Sequence, residues 1–545
     1  TQELFDVIIV GGGVNGCGVA RDCALRGLKT LLIEKKDLCG GTSGASSGMI
    51  HGGLRYLLYD VKTTRTSSKD SGYIQKIAPF LLFRIPLLYL MNKEKGFRSE
   101  LLAELLETFF EVYDRYAKLK NGKPHTRLNR EEVLQLEPGL ASHIQGAMTF
   151  DEWGIDAYRL CVLNAKDAQK NGAKILLHTQ VLDFLFESEG DKKKIKGVVV
   201  QTSEGKKHHY FGKLVLNLAG PWIPKLCQKA GVEVKLRPAK GIHIVFDRRI
   251  SNVGFVTETI DRRSIFLLPH QNTSIIGTTD DDFYGDPDHL EVTQDEVQYL
   301  MEAIEHVFPT IRNYRVIGTY AGIRPTLYEW GKMEDQLSRE HRIFDHSSEG
   351  VSGFLTMAGG KLATYRLMSE ELTNLICKKL KVKRKCKTHL EPLPGGEDLI
   401  SPEELRDMAL RSHLPAYALS RLYARHGGGI RDILFLIEEN PQWKRVICAS
   451  EPVLEAEVRY CIDQEWAESL DDLGRRTRLG WGGCQGTECV WPAAQILKEK
   501  KGKDPKKEVQ TFLQKRWQSL TPCLQGESIA QEELKHHLWG KSFEV

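Results

Sequence analysis

Gly11, Gly13 and Gly16 stand in the spacing G-x-G-x-x-G, and Glu34 follows eighteen residues after the last of them. These residue types at this spacing suit a dinucleotide. Gly11 permits a tight turn, Gly13 lets backbone approach a pyrophosphate, and Gly16 lets a helix pack on a strand. The helix start then offers N–H groups to the anion. Glu34 is placed to accept hydrogen bonds from the adenosine ribose hydroxyls. A second group of chemistry-bearing residues follows at once. Residues 40–48 read GGTSGASSG. The hydroxyls of Thr42, Ser43, Ser46 and Ser47, with the backbone N–H groups between them, can lie against a flat ligand. His51, Arg55 and Tyr56 come directly after.

The elements that must position these groups are legible in the same stretch. Val7, Ile8, Ile9 and Val10 make the short apolar run of a parallel strand buried on both faces. Val14, Cys17, Ala20, Ala24 and Leu25 recur near helical spacing, and residues 28–33 rebuild a strand that ends at Glu34. The chain has 545 residues, enough for two or three domains and for a substantial core without staples. A net charge of +4 is too small to argue for nucleic acid. The first strand begins within six residues of the chain's start, which predicts no signal peptide and reduced, intracellular cysteines. Phe80 to Met91, the longest apolar stretch, carries Arg84 and Pro86 and is too short to span a bilayer. It reads as core, or as apolar surface dipping into a membrane.

The segments GGGVNGCGVARDCALRG and GTSGASSGMIHGGLRYL, in that order, resemble the FAD-dependent glycerol-3-phosphate dehydrogenase family. That family carries a Thr-Ser, Ala-Ser-Ser, His-Gly-Gly-Leu-Arg-Tyr segment after its first βαβ unit. Gly44 and Gly48 stand where many members have a larger residue. The resemblance implies an α/β fold: an FAD-binding Rossmann-like domain, an antiparallel-sheet substrate domain and a mainly helical C-terminal domain. The expected oxidoreductase region is 1–390, with a discontinuous FAD-binding domain at about 1–80, 150–235 and 310–390. The substrate domain is expected at about 81–149 and 236–309, and the helical domain at 397–545. FAD is the implied cofactor, held noncovalently. Three further stretches are implied to meet it: Val181, the strand-to-glycine turn of Ala219, Gly220 and Trp222, and a third corner of Gly359 and Gly360 followed by Leu362. The family usually has two threonines before the tyrosine at 365, and this chain has Ala363-Thr364.

The substrate the resemblance implies is sn-glycerol 3-phosphate, oxidised to dihydroxyacetone phosphate. A phosphate suits arginine's fork, and Arg55, Arg324 and Arg366 stand beside glycine turns or tyrosines. Oxidation removes a proton from the C2 hydroxyl and a hydride from C2, so a histidine base near neutral pKa is useful. His243, on a roof strand, is the expected base, and His51 positions flavin or substrate. Lys361 is expected to steady negative charge, and Arg324 to clamp phosphate or a developing alkoxide. Tyr56, Lys240 and Thr279 are expected substrate partners. The flavin carries the hydride. Electrons are expected to pass to a quinone or a partner subunit, from a cytoplasmic protein peripheral on the inner membrane. The basic run at 378–387 is a solvated linker or an attraction to anionic lipid. The rival readings are an oxidase using oxygen, an amine-oxidising flavoenzyme of the same fold, and a flavin-binding electron-transfer scaffold.

The tail is similar to the small iron–sulfur domain of anaerobic-type members, itself like bacterioferritin-associated ferredoxin. That pattern needs C-x-C and a later C-x4-C, because four thiolates hold the two irons. Cys484 and Cys489 match the second pair, and Cys448 matches half of the first, with Ser450 in the partner's place. The expectation is a domain that kept its fold and lost its cluster, with no metal. FLQKRWQSLTP at 512–522 extends the resemblance to nearly the whole chain.

Overall fold

The computed structural model describes residues 3–58, 60–92, 98–189, 192–331 and 340–543. The apolar runs assemble two sheets, each with nine strands among the described residues. In the first, the strand order is His341–Asp345, Phe354–Gly359, Lys207–Asn217, Leu4–Val10, Thr30–Ile33 and Lys174–Leu176. The four pairings from Phe354–Gly359 to Lys174–Leu176 are parallel. Val7, Ile9, Leu214 and Leu216 face the helices Val14–Leu25, Ala157–Lys170 and Tyr365–Leu380. Ile8, Leu31 and Val215 face the hairpin Thr179–Glu189/Lys192–Thr202 and the helix Ile223–Ala230. Burial on both faces is why these strands read as unbroken apolar runs.

The second sheet is antiparallel apart from one parallel contact, between Gly254–Glu258 and Leu82–Asn92. The strand Leu236–Phe246 lies between Val316–Leu327 and Thr273–Gly277, so His243 stands opposite Tyr320 on one side and Gly277 on the other. The apolar run at 80–91 is an interior strand of this sheet. Ile85 and Leu87 pack with Phe110 and Tyr113, while Leu88 and Leu90 share a core with Val297, Leu300 and Ile304 of the helix Gln294–Val307. This period-2 division between two cores accounts for its hydrophobicity without a membrane. Two strands sit in this sheet that the expected boundaries gave to the cofactor domain in whole or part, Ile144–Ile155 and Val316–Leu327. Each pairs along its full length with a second-sheet neighbour.

Beyond residue 400 the chain is helical from Pro402–Ser412 to Glu527–Phe543, with a short ribbon of Val446–Cys448 and Val453–Leu454. Its core is built from residues such as Leu419, Ile433, Val458 and Leu497. Buried charges join it to the rest. Asp37 accepts two bonds of 2.6 Å from Arg476 and one of 2.7 Å from Arg475. Arg159 meets Glu465 at 2.5 Å, and both side chains are fully buried.

Candidate active site

The site begins at the first glycine corner. Gly11 has φ +115°, a conformation that favours glycine. A Cβ on Gly16 would stand 1.8 Å from the Gly11 carbonyl oxygen, so only glycine lets the helix start this close to the turn. The corner leaves the start of Val14–Leu25 open to a long cleft. Glu34, at the end of the second strand, accepts from the Gly12 N–H at 2.6 Å and the Lys36 N–H at 2.8 Å. Burial, the larger effect, raises its pKa against those two hydrogen bonds.

Along the cleft the structure gathers residues remote in sequence. Its lining includes Gly11, Gly13, Glu34, Thr42, Ser43, Ser46 and Ser47 from the first segment. Val181, Ala219, Gly220 and Trp222 come from the middle of the chain, and Gly359, Gly360, Lys361 and Leu362 from the third corner. His51, Tyr56, His243 and Arg324 line it too. The small-residue loop is pinned flat. Ser43 Oγ accepts from the Val14 N–H at 3.0 Å, Thr42 Oγ1 donates to Ile323 O at 2.6 Å, and Tyr320 OH donates to Ser46 O at 3.2 Å. The loop bearing His51 is anchored from below, where Gly52 N–H donates to the buried Glu152, which pairs with Lys120.

The chemistry-bearing side chains meet beneath the roof strand. Arg324 donates through Nη1 to Asp280 Oδ1 at 2.9 Å and to Thr279 O at 3.2 Å, and through Nη2 to Thr278 Oγ1 at 3.0 Å. Lys361 Nζ lies 4.2 Å from the centre of the Tyr56 ring, a cation–π contact. His243 is buried, stacks on Tyr320 with ring centres 4.6 Å apart, and has Nε2 2.8 Å from Ser47 Oγ. Burial first, and then the charge of Arg324, push its pKa down to about 3. The ring is therefore neutral at pH 7 and able to accept a proton, but with a lower basicity than the near-neutral value expected from its residue type.

Three expected substrate contacts are made elsewhere. Arg366 is buried against Asp70 and Glu370, each at 2.6 Å, and does not line the cleft. Lys240 is buried and turns its Nζ to Glu296 at 2.8 Å, because Glu296 stands in the first turn of the helix Gln294–Val307 behind the roof. Thr279 accepts the Ile242 N–H on its hydroxyl and offers only its carbonyl, to Arg324. Arg55 lies on the turn Leu54–Leu58, and its side chain falls outside the described residues. Reasoning from sequence missed Asp288, which lines the cleft beside Lys35 and Trp222. It takes Lys35 Nζ at 2.6 Å and Trp222 Nε1 at 3.1 Å, while Lys35 lies 4.0 Å over the Trp222 ring. It also missed Asn15, at the open helix start.

The cleft fits FAD on its own terms. Helix-start N–H groups, the acid Glu34 and a hydroxyl-bearing loop all line it. Two polar atoms among its lining, Asn15 Oδ1 and His243 Nδ1, are buried with no hydrogen-bond partner among the described residues. Such atoms are costly unless a ligand meets them.

Residues 6–366 match the FAD dependent oxidoreductase family, and residues 386–508 match the C-terminal domain of alpha-glycerophosphate oxidase. Over 97% of its length the chain is 31% identical to one subunit of the anaerobic glycerol-3-phosphate dehydrogenase of Haemophilus influenzae, covering 91% of that protein. The corresponding Escherichia coli K12 protein is 30% identical, with 98% of this chain and 95% of the relative covered. The chain belongs to the FAD-dependent glycerol-3-phosphate dehydrogenases. The glycerol-3-phosphate dehydrogenase of Bacillus halodurans, solved with FAD, has the same fold: TM-score 0.74 at 23% identity, over 96% of this chain and 97% of that one. FAD is the family's cofactor and the one this cleft takes.

In the C-terminal domain, Cys448, Cys484, Cys489 and Ser450 come together. The three thiols are hydrogen-bonded to one another. Ser450 sits beside the half-buried Cys484.

Proposed function

We propose that the chain oxidises the C2 hydroxyl of sn-glycerol 3-phosphate to the ketone of dihydroxyacetone phosphate, at the end of the cleft farthest from Glu34. One observation carries this reading: Arg324, Lys361 and His243, far apart in sequence, line one cleft with three glycine corners. FAD, held along the corners at Gly11, Gly220 and Gly359, would supply the acceptor for the C2 hydride. Arg324, oriented by Asp280 and the Thr279 carbonyl, binds the phosphate. Lys361, held over Tyr56, steadies negative charge on the C2 oxygen. His243 receives the hydroxyl proton at Nε2, whose present partner is the Ser47 hydroxyl. A phosphate dianion at Arg324 would offset only the smaller of the effects that depress His243, burial being the larger. Tyr56 and the packed loop at 42–47 exclude water from this end.

Electrons then leave to a quinone or to a partner protein. The bacterial relatives are named as single subunits of a larger enzyme, which supports a chain that works with others. Among the described residues no helix is long and apolar enough to cross a membrane, so contact with a membrane would be peripheral. Anaerobic titration with glycerol 3-phosphate, followed in the visible flavin band, tests the function. Bleaching at stoichiometric substrate is expected. An unbleached flavin, or bleaching by sarcosine in its place, removes the reading, and rapid peroxide release in air would make the protein an oxidase.

A further inference from the structure

Outside the cleft, one group of side chains has the composition of a metal site. Glu370 projects from the helix Tyr365–Leu380. Cys386 and His389, spaced C-x-x-H, lie on the strap of residues 381–396 that leaves this helix. The strap crosses Val14–Leu25, where Arg21 donates to the carbonyls of Thr388, Glu391 and Pro392. One donor atom from each of Glu370, Cys386 and His389 lies within 4.8 Å of the other two. His389 Nδ1 is buried and has no hydrogen-bond partner among the described residues, and its ring is set edge-on to Tyr73 at 5.3 Å. Glu370 is held in place by Arg366 Nη1 at 2.6 Å, and Arg366 in turn by Asp70 at 2.6 Å. Such outer partners orient metal ligands.

We propose that Glu370, Cys386 and His389 bind one zinc ion, with water as the fourth ligand. A thiolate, an imidazole and a carboxylate together suit zinc rather than calcium or magnesium, which take oxygen alone. Small side-chain adjustments bring each donor to about 2.0–2.3 Å of a common centre. Binding replaces the Cys386 thiol proton with the metal and releases that proton to water. The ion would staple the strap to the cofactor domain, at the junction of the two family-matched regions. This explains why a basic, otherwise irregular segment runs in close register over two helices.

The test uses the full-length holoenzyme, stripped with chelator and re-equilibrated with zinc. One tightly held zinc per FAD is expected by mass spectrometry, with X-ray absorption showing one sulfur in a nitrogen and oxygen shell. His389→Ala should lower zinc affinity at least about tenfold and lower the melting temperature gained with zinc. Cys386→Ser should abolish the sulfur scatterer, and Cys484→Ser should leave metal content unchanged. A shell of two or more sulfurs, zinc lost only in Cys484→Ser, or no tightly held zinc in the wild type would overturn the proposal. If Cys386→Ser does not fold, the wild-type absorption spectrum decides alone.

Discussion

The cofactor cleft and the part of the C-terminal seam around Asp37 and Arg159 are both lined by buried polar groups, yet they are satisfied differently. At the seam, Asp37 takes three charged hydrogen bonds from Arg475 and Arg476, and Arg159 is closed by Glu465 and the Arg425 carbonyl. In the cleft, Asn15 Oδ1 and His243 Nδ1 have no partner among the described residues. A buried charge that is fully matched specifies how pieces dock. A buried polar atom left open on the wall of a cleft is one that a ligand can satisfy.

The sharpest way to break the comparison is at the glycine corner. Gly16→Val should abolish FAD retention, because even a Cβ overlaps the Gly11 carbonyl; absorbance of the purified variant shows it. At the seam, Glu465→Ala strands Arg159 without its counter-ion and should cost about 3–5 kcal/mol of stability, read by urea unfolding. Substrate affinity there should barely change. The cleft should respond in the opposite sense. Arg324→Ala should lower kcat/KM by an amount worth about 2–5 kcal/mol while FAD stays bound. Arg366→Gln should weaken the fold and leave KM alone, and equal KM effects in the two variants would erase the distinction drawn between them.

A smaller effect lies in pH. Burial, with Arg324 for one and Arg478 for the other, holds His243 and His270 near 3 in the folded chain against an ordinary 6.5. The unfolded chain therefore takes up these protons first, and stability should fall as pH drops from 6.5 toward 3. Urea midpoints at pH 7 and pH 5 measure this, and His270→Phe should flatten the slope. The smallest change expected is that Lys240→Met leaves KM unaltered, since Lys240 faces Glu296.

How much of this was legible in the sequence depends on the range of the determining contact. The first glycine corner, its strands and Glu34 lie within one local unit, and their types state their job. The corners at 219–220 and 359–360 were readable because each again follows an apolar strand. Arg324 and Arg366 looked alike beside their turns, and the structure separates them. One clue was present, since Glu370 is four residues after Arg366 on the same helix, the spacing of an ion pair. The partner of Lys240 lies 56 residues away and the reach of Asp288 to Lys35 spans 253. No local pattern announces either. The two cores that share the strand Leu82–Asn92 were likewise invisible in a stretch that is simply apolar.

The Asp37 contact has a temporal meaning. Its partner Arg476 lies 439 residues downstream, and at the usual pace of translation the ribosome needs about 20–90 s to cover that distance. Throughout that interval the nascent chain carries a carboxylate, three residues past Glu34, whose matching guanidinium has yet to be made. Truncation after residue 396 removes both guanidiniums that meet Asp37, and a newborn chain so shortened should retain less FAD when purified.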